Sequence, residues 1–140
     1  MSTNKFLLAS LAATLVYFFV GYLAYGVLLS NFFATHAGPA KDVARDMDHL
    51  LFMYIILGNL FSGFLLAYIF SKAKIATISR GVITGAIVGF LMSASHDCIS
   101  YATSWMISRS SLLADVIVFS ILSAIAGAII ALIAGKGKKS

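Results

Sequence analysis

Few side chains in this sequence are equipped for chemistry. The 140 residues include five acids, three histidines and one cysteine, so a place where several of them meet inside an apolar run stands out. His96 and Asp97 are adjacent within the run Gly81 to Ile107, and Asp115 lies just inside the run Leu112 to Ala134. A carboxylate beside an imidazole can exchange protons as a coupled unit, or hold a polar headgroup or small solute by hydrogen bonds. Asn59, Tyr22 and Tyr25 stand at depths from which they could reach the same level, Tyr101 lies one turn after Asp97 on the same face, and Asp115, about one turn into its helix, would sit above the group. The candidate binding set is therefore His96, Asp97, Asn59, Tyr22, Tyr25, Tyr101 and Asp115, with Asp48 and His49 higher at the mouth.

Three readings of this set compete. It could be a satisfied hydrogen-bond network that fixes helix register, since polar residues often act so between membrane helices. It could be a cavity that binds or transports a small solute, a proton or a lipid headgroup, because an ionised group deep in a bilayer costs about 2.5 to 3.5 kcal/mol and is rarely kept without a partner or a use. The third is a metal or haem site built on His49 and His96, but no two histidines stand three or four residues apart, the spacing that places two ligands on one helical face.

Other chemistry finds little support. Cys98 is alone, which excludes a disulfide framework within the chain, and a lone cysteine on an apolar helix usually packs. No glycine-rich nucleotide loop and no complete catalytic motif is present, and nothing calls for a cofactor. The net charge of +5 would suggest nucleic acid in a soluble protein. Here the basic residues sit in short loops between apolar runs, so the partner they imply is anionic lipid and not nucleic acid.

The elements that must position these residues follow from hydropathy. With 61% hydrophobic and 11% charged residues and a mean hydropathy of +0.99, the chain needs lipid as its solvent. Four apolar runs exceed the roughly 20 residues that span about 30 Å of hydrocarbon. They predict a single all-α domain over residues 1–140, an antiparallel bundle of four transmembrane helices at about 6–33, 39–71, 79–107 and 111–135. The first run is too long for a signal-peptide core, and Ala34 to Ala37 makes a poor cleavage site, so it reads as a retained helix. Polar and apolar residues do not alternate, as they would in a barrel. Pro39 suits a first helical turn, so the second helix is expected to begin there and stand out of the membrane by about two turns.

Basic loop residues set the orientation. Lys5, Lys72, Lys74, Arg80, Lys136, Lys138 and Lys139 fall on one side, Lys41, Arg45 and Arg109 on the other, which puts both termini in the cytoplasm. Trp105 fits an interfacial anchor. The packing is also written in the sequence: Gly81, Gly85, Gly89 and Ser93 recur every four residues, and Ser123, Gly127, Ala131 and Gly135 answer them. Asp97 extends the first ridge and Asp115 the second, so both carboxylates should face protein. With the third helix taken to Ile107, His96 and Asp97 lie about 3 to 5 Å beyond the midplane.

The third and fourth helices carry a resemblance. Gly85-Ala86, Gly89, Asp97, Ala102-Thr103, Leu113 and Asp115 resemble the C-terminal half of uncharacterised four-helix bacterial membrane proteins, domains of unknown function. Gly21, Tyr22, Tyr25 and Gly26 ahead of Asn31-Phe32 are similar to the opening of another such family. The resemblance implies a four-helix fold in a bacterial inner membrane and brings no established activity. The reading is of a multi-pass protein of binding or transport type, and not a soluble-type enzyme. Its alternative is an accessory or structural subunit of a larger membrane complex, with homo-oligomers or other membrane subunits as partners.

Overall fold

The computed structural model describes residues 1–135 and is all-helical, with no strand among them. Four stretches are long and apolar enough to cross a membrane: Thr3–Leu28, α3 (Phe52–Lys72), α4 (Ile78–Thr103) and α5 (Arg109–Gly135). The first span opens as α1 (Thr3–Leu15), capped by the Ser2 hydroxyl, which accepts from the Lys5 amide. It then widens into π-helical turns over Val16–Val20 and Tyr22–Leu28. Bulky aromatic side chains crowd the preceding turn of an α-helix, and this stretch is dense in them. A short α2 (Ser30–Thr35) follows a break at Leu29.

The second span begins at Phe52, thirteen residues after the Pro39 start that the sequence suggests. Residues between α2 and α3 are irregular apart from a single 3-10 turn, Met47–His49. The cause is non-local. The Gly38 amide donates to the Met106 carbonyl and the Ala40 amide to the Trp105 carbonyl, both at 3.0 Å, beside an antiparallel bridge between Ala37 and Ile107. That pairing is strand-like at Ala37, and Asp42 adopts a positive φ of 57°, which a helix forbids. Gly38 is required here, because a Cβ on it would fall 2.7 Å from the Met106 carbonyl carbon. The same bridge ends α4 at Thr103 instead of Ile107. α5 starts at Arg109, where Ser108 and Ser111 cap each other: each hydroxyl accepts from the other's amide, at 3.0 and 3.2 Å.

The spans run antiparallel in the spatial order α3, α1, α5, α4, and α4 rests almost wholly on α5. The seam between these two closes as the spacing predicts. A Cβ on Gly81 would stand 2.6 Å from both the Ala131 Cβ and the Gly127 carbonyl oxygen, and one on Gly127 would stand 3.1 Å from the Gly85 Cα. A second seam joins α1 to α3, where a Cβ on Gly63 would lie 2.7 Å from the Ser10 carbonyl and 2.8 Å from the Thr14 amide. Ser10 and Thr14 return their hydroxyls to their own helix, at 2.8 and 2.9 Å, so neither is left unpaired in the seam. Leu66, Phe70, Ala126 and Ile130 fill the core between the two hairpins.

One end of the bundle gathers the N-terminus, the turn after α3 and the end of α5, since Met1, Lys74, Ala76 and Ala134 line one surface hollow. The other end carries the bridged loops. Lys136, Lys138 and Lys139, which the orientation argument uses, lie outside the described residues.

Candidate functional site

Asp97 closes the α4 seam at the loop end. It is one turn beyond Ser93 on the buried face, and only 4% of its surface is exposed. Its Oδ1 lies 3.1 Å from the His96 Nδ1, but its Oδ2 is buried with no hydrogen-bond partner among the described residues. A buried carboxylate oxygen without a donor is costly. Asp115 comes from α5 to the same level: the two lie about 10 Å from the midpoints of their helices. The spacing of four along each ridge turns both carboxylates inward, and the structure sets Asp115 level with Asp97 and not above it, where the sequence count puts it. Asp115 stands within electrostatic reach of Asp97, His96 and the Tyr25 hydroxyl.

The depth of the pair differs from the sequence count. α4 runs over Ile78–Thr103, so its midpoint lies closer to the termini than the run to Ile107 implied. Asp97 falls about 5 Å inside the edge of a 30 Å hydrocarbon slab. His96 turns outward, with 78% of its side chain exposed, because the adjacent position on a helix cannot share Asp97's buried face.

A cleft of about 310 Å³ opens at this point, lined by His96, Asp97 and Asp115 with Phe33, Ile107 and Leu112 among its apolar walls. A second hollow of about 240 Å³ shares those three polar residues and continues along α4 and α5 to Ser93 and Phe119. Among the described residues, neither is lined by a lysine or arginine.

The remaining candidates are distributed elsewhere. Tyr22, Tyr25 and Asn59 line a separate apolar chamber of about 270 Å³, walled by Tyr17, Phe52 and Phe119. Asn59 does not join His96 and Asp97, because α3 packs on α1 and the first span stands between; its amide donates to the Ile55 carbonyl at 2.7 Å. Tyr101 does not join them either. It lies two residues from the end of α4, at the mouth, where its hydroxyl accepts from Arg109 Nε at 3.0 Å. His49 pairs with Asp46 in the exposed loop, apart from His96, and no group of three metal-ligating side chains is gathered among the described residues.

Two contributors were not visible in the sequence reading. Tyr17 is nearly fully buried near the middle of the first span, where its hydroxyl meets the Ser123 hydroxyl at 2.8 Å and its ring stacks on Phe119 at 5.5 Å. Phe33 supplies a cleft wall and packs against Tyr25, ring centres 5.4 Å apart. Tyr17 had a signal, its place near the centre of an apolar run; Phe33 had none among so many aromatics. Tyr25 and Phe119 form the partition on this side: Phe119 lines both the chamber and the second hollow, and Tyr25 lines the chamber and reaches towards Asp115.

The chain matches no protein-family profile, no curated protein sequence and no solved structure.

Proposed function

We propose that this chain is a multi-pass membrane protein that binds and exchanges a proton or small solute in the acidic cleft between α4 and α5. The observation that carries this reading is the meeting of two carboxylates at one cleft, Asp97 from α4, buried, and Asp115 from α5, half-buried. The depth of the cleft supports access from the headgroup region, and exposed His96 provides the first group a proton would meet.

In this reading the four spans lie in a bacterial inner membrane, with termini and the turn after α3 in the cytoplasm and the bridged loops outside. Lys5, Lys72, Lys74 and Arg80 then face the cytoplasm, and Trp105, largely exposed beside the bridge, lies at the outer interface.

The test compares wild type with Asp97→Asn and His96→Gln in detergent, following melting temperature from pH 5 to 8. Asp97→Asn keeps the side-chain shape and removes the charge. Both variants are expected to fold and to lose the pH dependence that proton exchange in the cleft gives the wild type. Identical profiles in all three proteins would defeat the reading.

A further inference from the structure

The two ends of the bundle differ in charge. All five acids, Asp42, Asp46, Asp48, Asp97 and Asp115, belong to the half that carries the bridged loops, and no aspartate or glutamate of the sequence stands at the terminal end. The counter-charge for Lys72, Lys74 and Arg80 therefore comes from outside the described residues. Lys72 ends α3, a helix of 21 residues, so it lies about 15 Å from the helix midpoint. That is half the thickness of a bilayer's hydrocarbon core, the level at which lipid headgroups begin.

Two lysines at this level are held in particular ways. The Lys72 ammonium folds back along α3 to lie 5.5 Å from the centre of the Tyr68 ring, towards the membrane and not away from it. Lys74 has a positive φ of 54° where α3 closes. There the Ile75 amide donates to the Phe70 carbonyl at 3.0 Å and the Lys74 amide to the Ser71 carbonyl at 3.4 Å, a helix ending in which glycine ordinarily takes the left-handed place. A side chain in that conformation costs stability, so this lysine stands against the backbone preference, and its surroundings suggest a use. Two hollows meet at Ser71, one of about 210 Å³ lined by Lys74 and Phe70, the other of about 240 Å³ lined by Lys72, Phe6 and Tyr68. Each sets an ammonium beside an apolar wall. A soluble phosphate would leave those walls bare, and phosphatidylcholine brings a cation of its own beside its phosphate.

We infer that the turn after α3 holds an anionic phospholipid, its phosphodiester between Lys72 and Lys74 and an acyl chain against Phe6 and Tyr68. The inference shares with the function proposed above only the placement in a bilayer, so it stands or falls independently of the acidic cleft.

The experiment uses the full chain in phosphatidylcholine nanodiscs with increasing phosphatidylglycerol, read by melting temperature and by native mass spectrometry of retained lipid. Phosphatidylglycerol is expected to bind saturably and to raise the melting temperature. Lys72→Gln and Lys74→Gln should each weaken it about fivefold, the share of one basic residue at a headgroup. Arg80→Gln removes the same charge from a residue that lines neither hollow, and should weaken it less than about twofold. Lys74→Gly guards against misfolding: freed of the left-handed side chain, it should melt above wild type in phosphatidylcholine and gain less than wild type from phosphatidylglycerol. Inorganic phosphate and glycerol phosphate, added to phosphatidylcholine nanodiscs, should not stabilise the protein.

Stabilisation by free phosphate equal to that by phosphatidylglycerol overturns the proposal and makes the ligand a soluble anion. Equal weakening by Arg80→Gln and the two lysine variants overturns it in favour of a diffuse surface attraction. No effect of phosphatidylglycerol, or a gain from Lys74→Gly that is the same in both bilayers, leaves Lys74 serving α3 alone and ends the proposal.

Discussion

The half of the bundle near the termini and the half near the bridged loops are built from the same spans and packed in opposite ways. Near the termini, backbones touch: Gly81 lies against Gly127 and Ala131, Gly63 against Ser10 and Thr14, and Phe70 and Ile130 fill the remaining space. Near the loops the helices part. The first span widens into π turns, a break follows at Leu29, and the chamber and the hollow adjoining the acidic cleft open on either side of Phe119. In lipid, where apolar burial between helices gains little, close contact supplies the stability and open space must be held apart by it. The tight half therefore acts as the clamp that lets two carboxylates remain near each other in the loose half. π-Helical turns are rare and occur often at functional sites, which fits their place beside the cavities.

The comparison breaks most readily at the α4–α5 seam. A Cβ on Gly85 would meet the Ser123 backbone, which cannot swing aside. Gly85→Leu is expected to cost about 3 kcal/mol or more, as severe overpacking does. Gly58 on α3 has nothing within 4 Å of an added Cβ, so Gly58→Leu should hold stability or raise it by up to about 1 kcal/mol. Reversible unfolding in mixed detergent micelles measures both. Equal losses would show that the seam is not what holds the bundle.

A smaller effect lies at the boundary between the halves, where Tyr17 ties the first span to α5. Ser123→Ala strands the Tyr17 hydroxyl in a buried place and should cost about 1 kcal/mol. Tyr17→Phe should cost less, because the freed Ser123 hydroxyl can turn to its own helix carbonyl. The double variant is expected to lose little more than Ser123→Ala alone. Strict additivity in that cycle would mean the bond carries no coupling and the halves are joined by other contacts.

Much of the tight half can be read in the sequence and much of the loose half cannot, for a physical reason. Gly81, Gly85 and Gly89 declare the α4–α5 seam because close approach leaves a period of four, and ionisable residues are so rare in apolar runs that Asp97 and Asp115 announce themselves. The second seam had the same signal in Ala9, Ala13, Gly63 and Ala67, though it is shared with ordinary small residues of apolar helices. Which seam adjoins which is not periodic. The division of Tyr22, Tyr25 and Asn59 from His96 and Asp97 depends on the spatial order α3, α1, α5, α4, and no local pattern encodes it. The late start of α3 likewise depends on hydrogen bonds from Gly38 and Ala40 to residues some seventy positions away in sequence. Local composition around Pro39 favours a helix, and the tertiary pairing overrides it.

The finest probe uses one substitution in both halves. Glycine to alanine in a helix usually stabilises by about 0.5 to 1 kcal/mol, because it restricts the unfolded chain, provided the new methyl group has room. Gly21 is the case with room: its backbone is right-handed helical, with φ −62° and ψ −46°, and an added Cβ would lie 3.9 Å from Leu122 Cδ1, an ordinary contact at the chamber wall. Gly85 is the case without it, since the same methyl group meets the Ser123 backbone. Gly21→Ala should therefore raise the melting temperature, and Gly85→Ala should lower it. Opposite signs from an identical chemical change would locate the packing difference in the protein and not in the residue. If Gly21→Ala destabilises as Gly85→Ala does, the chamber is closed in the folded protein, and the contrast between a clamped half and an open half is lost.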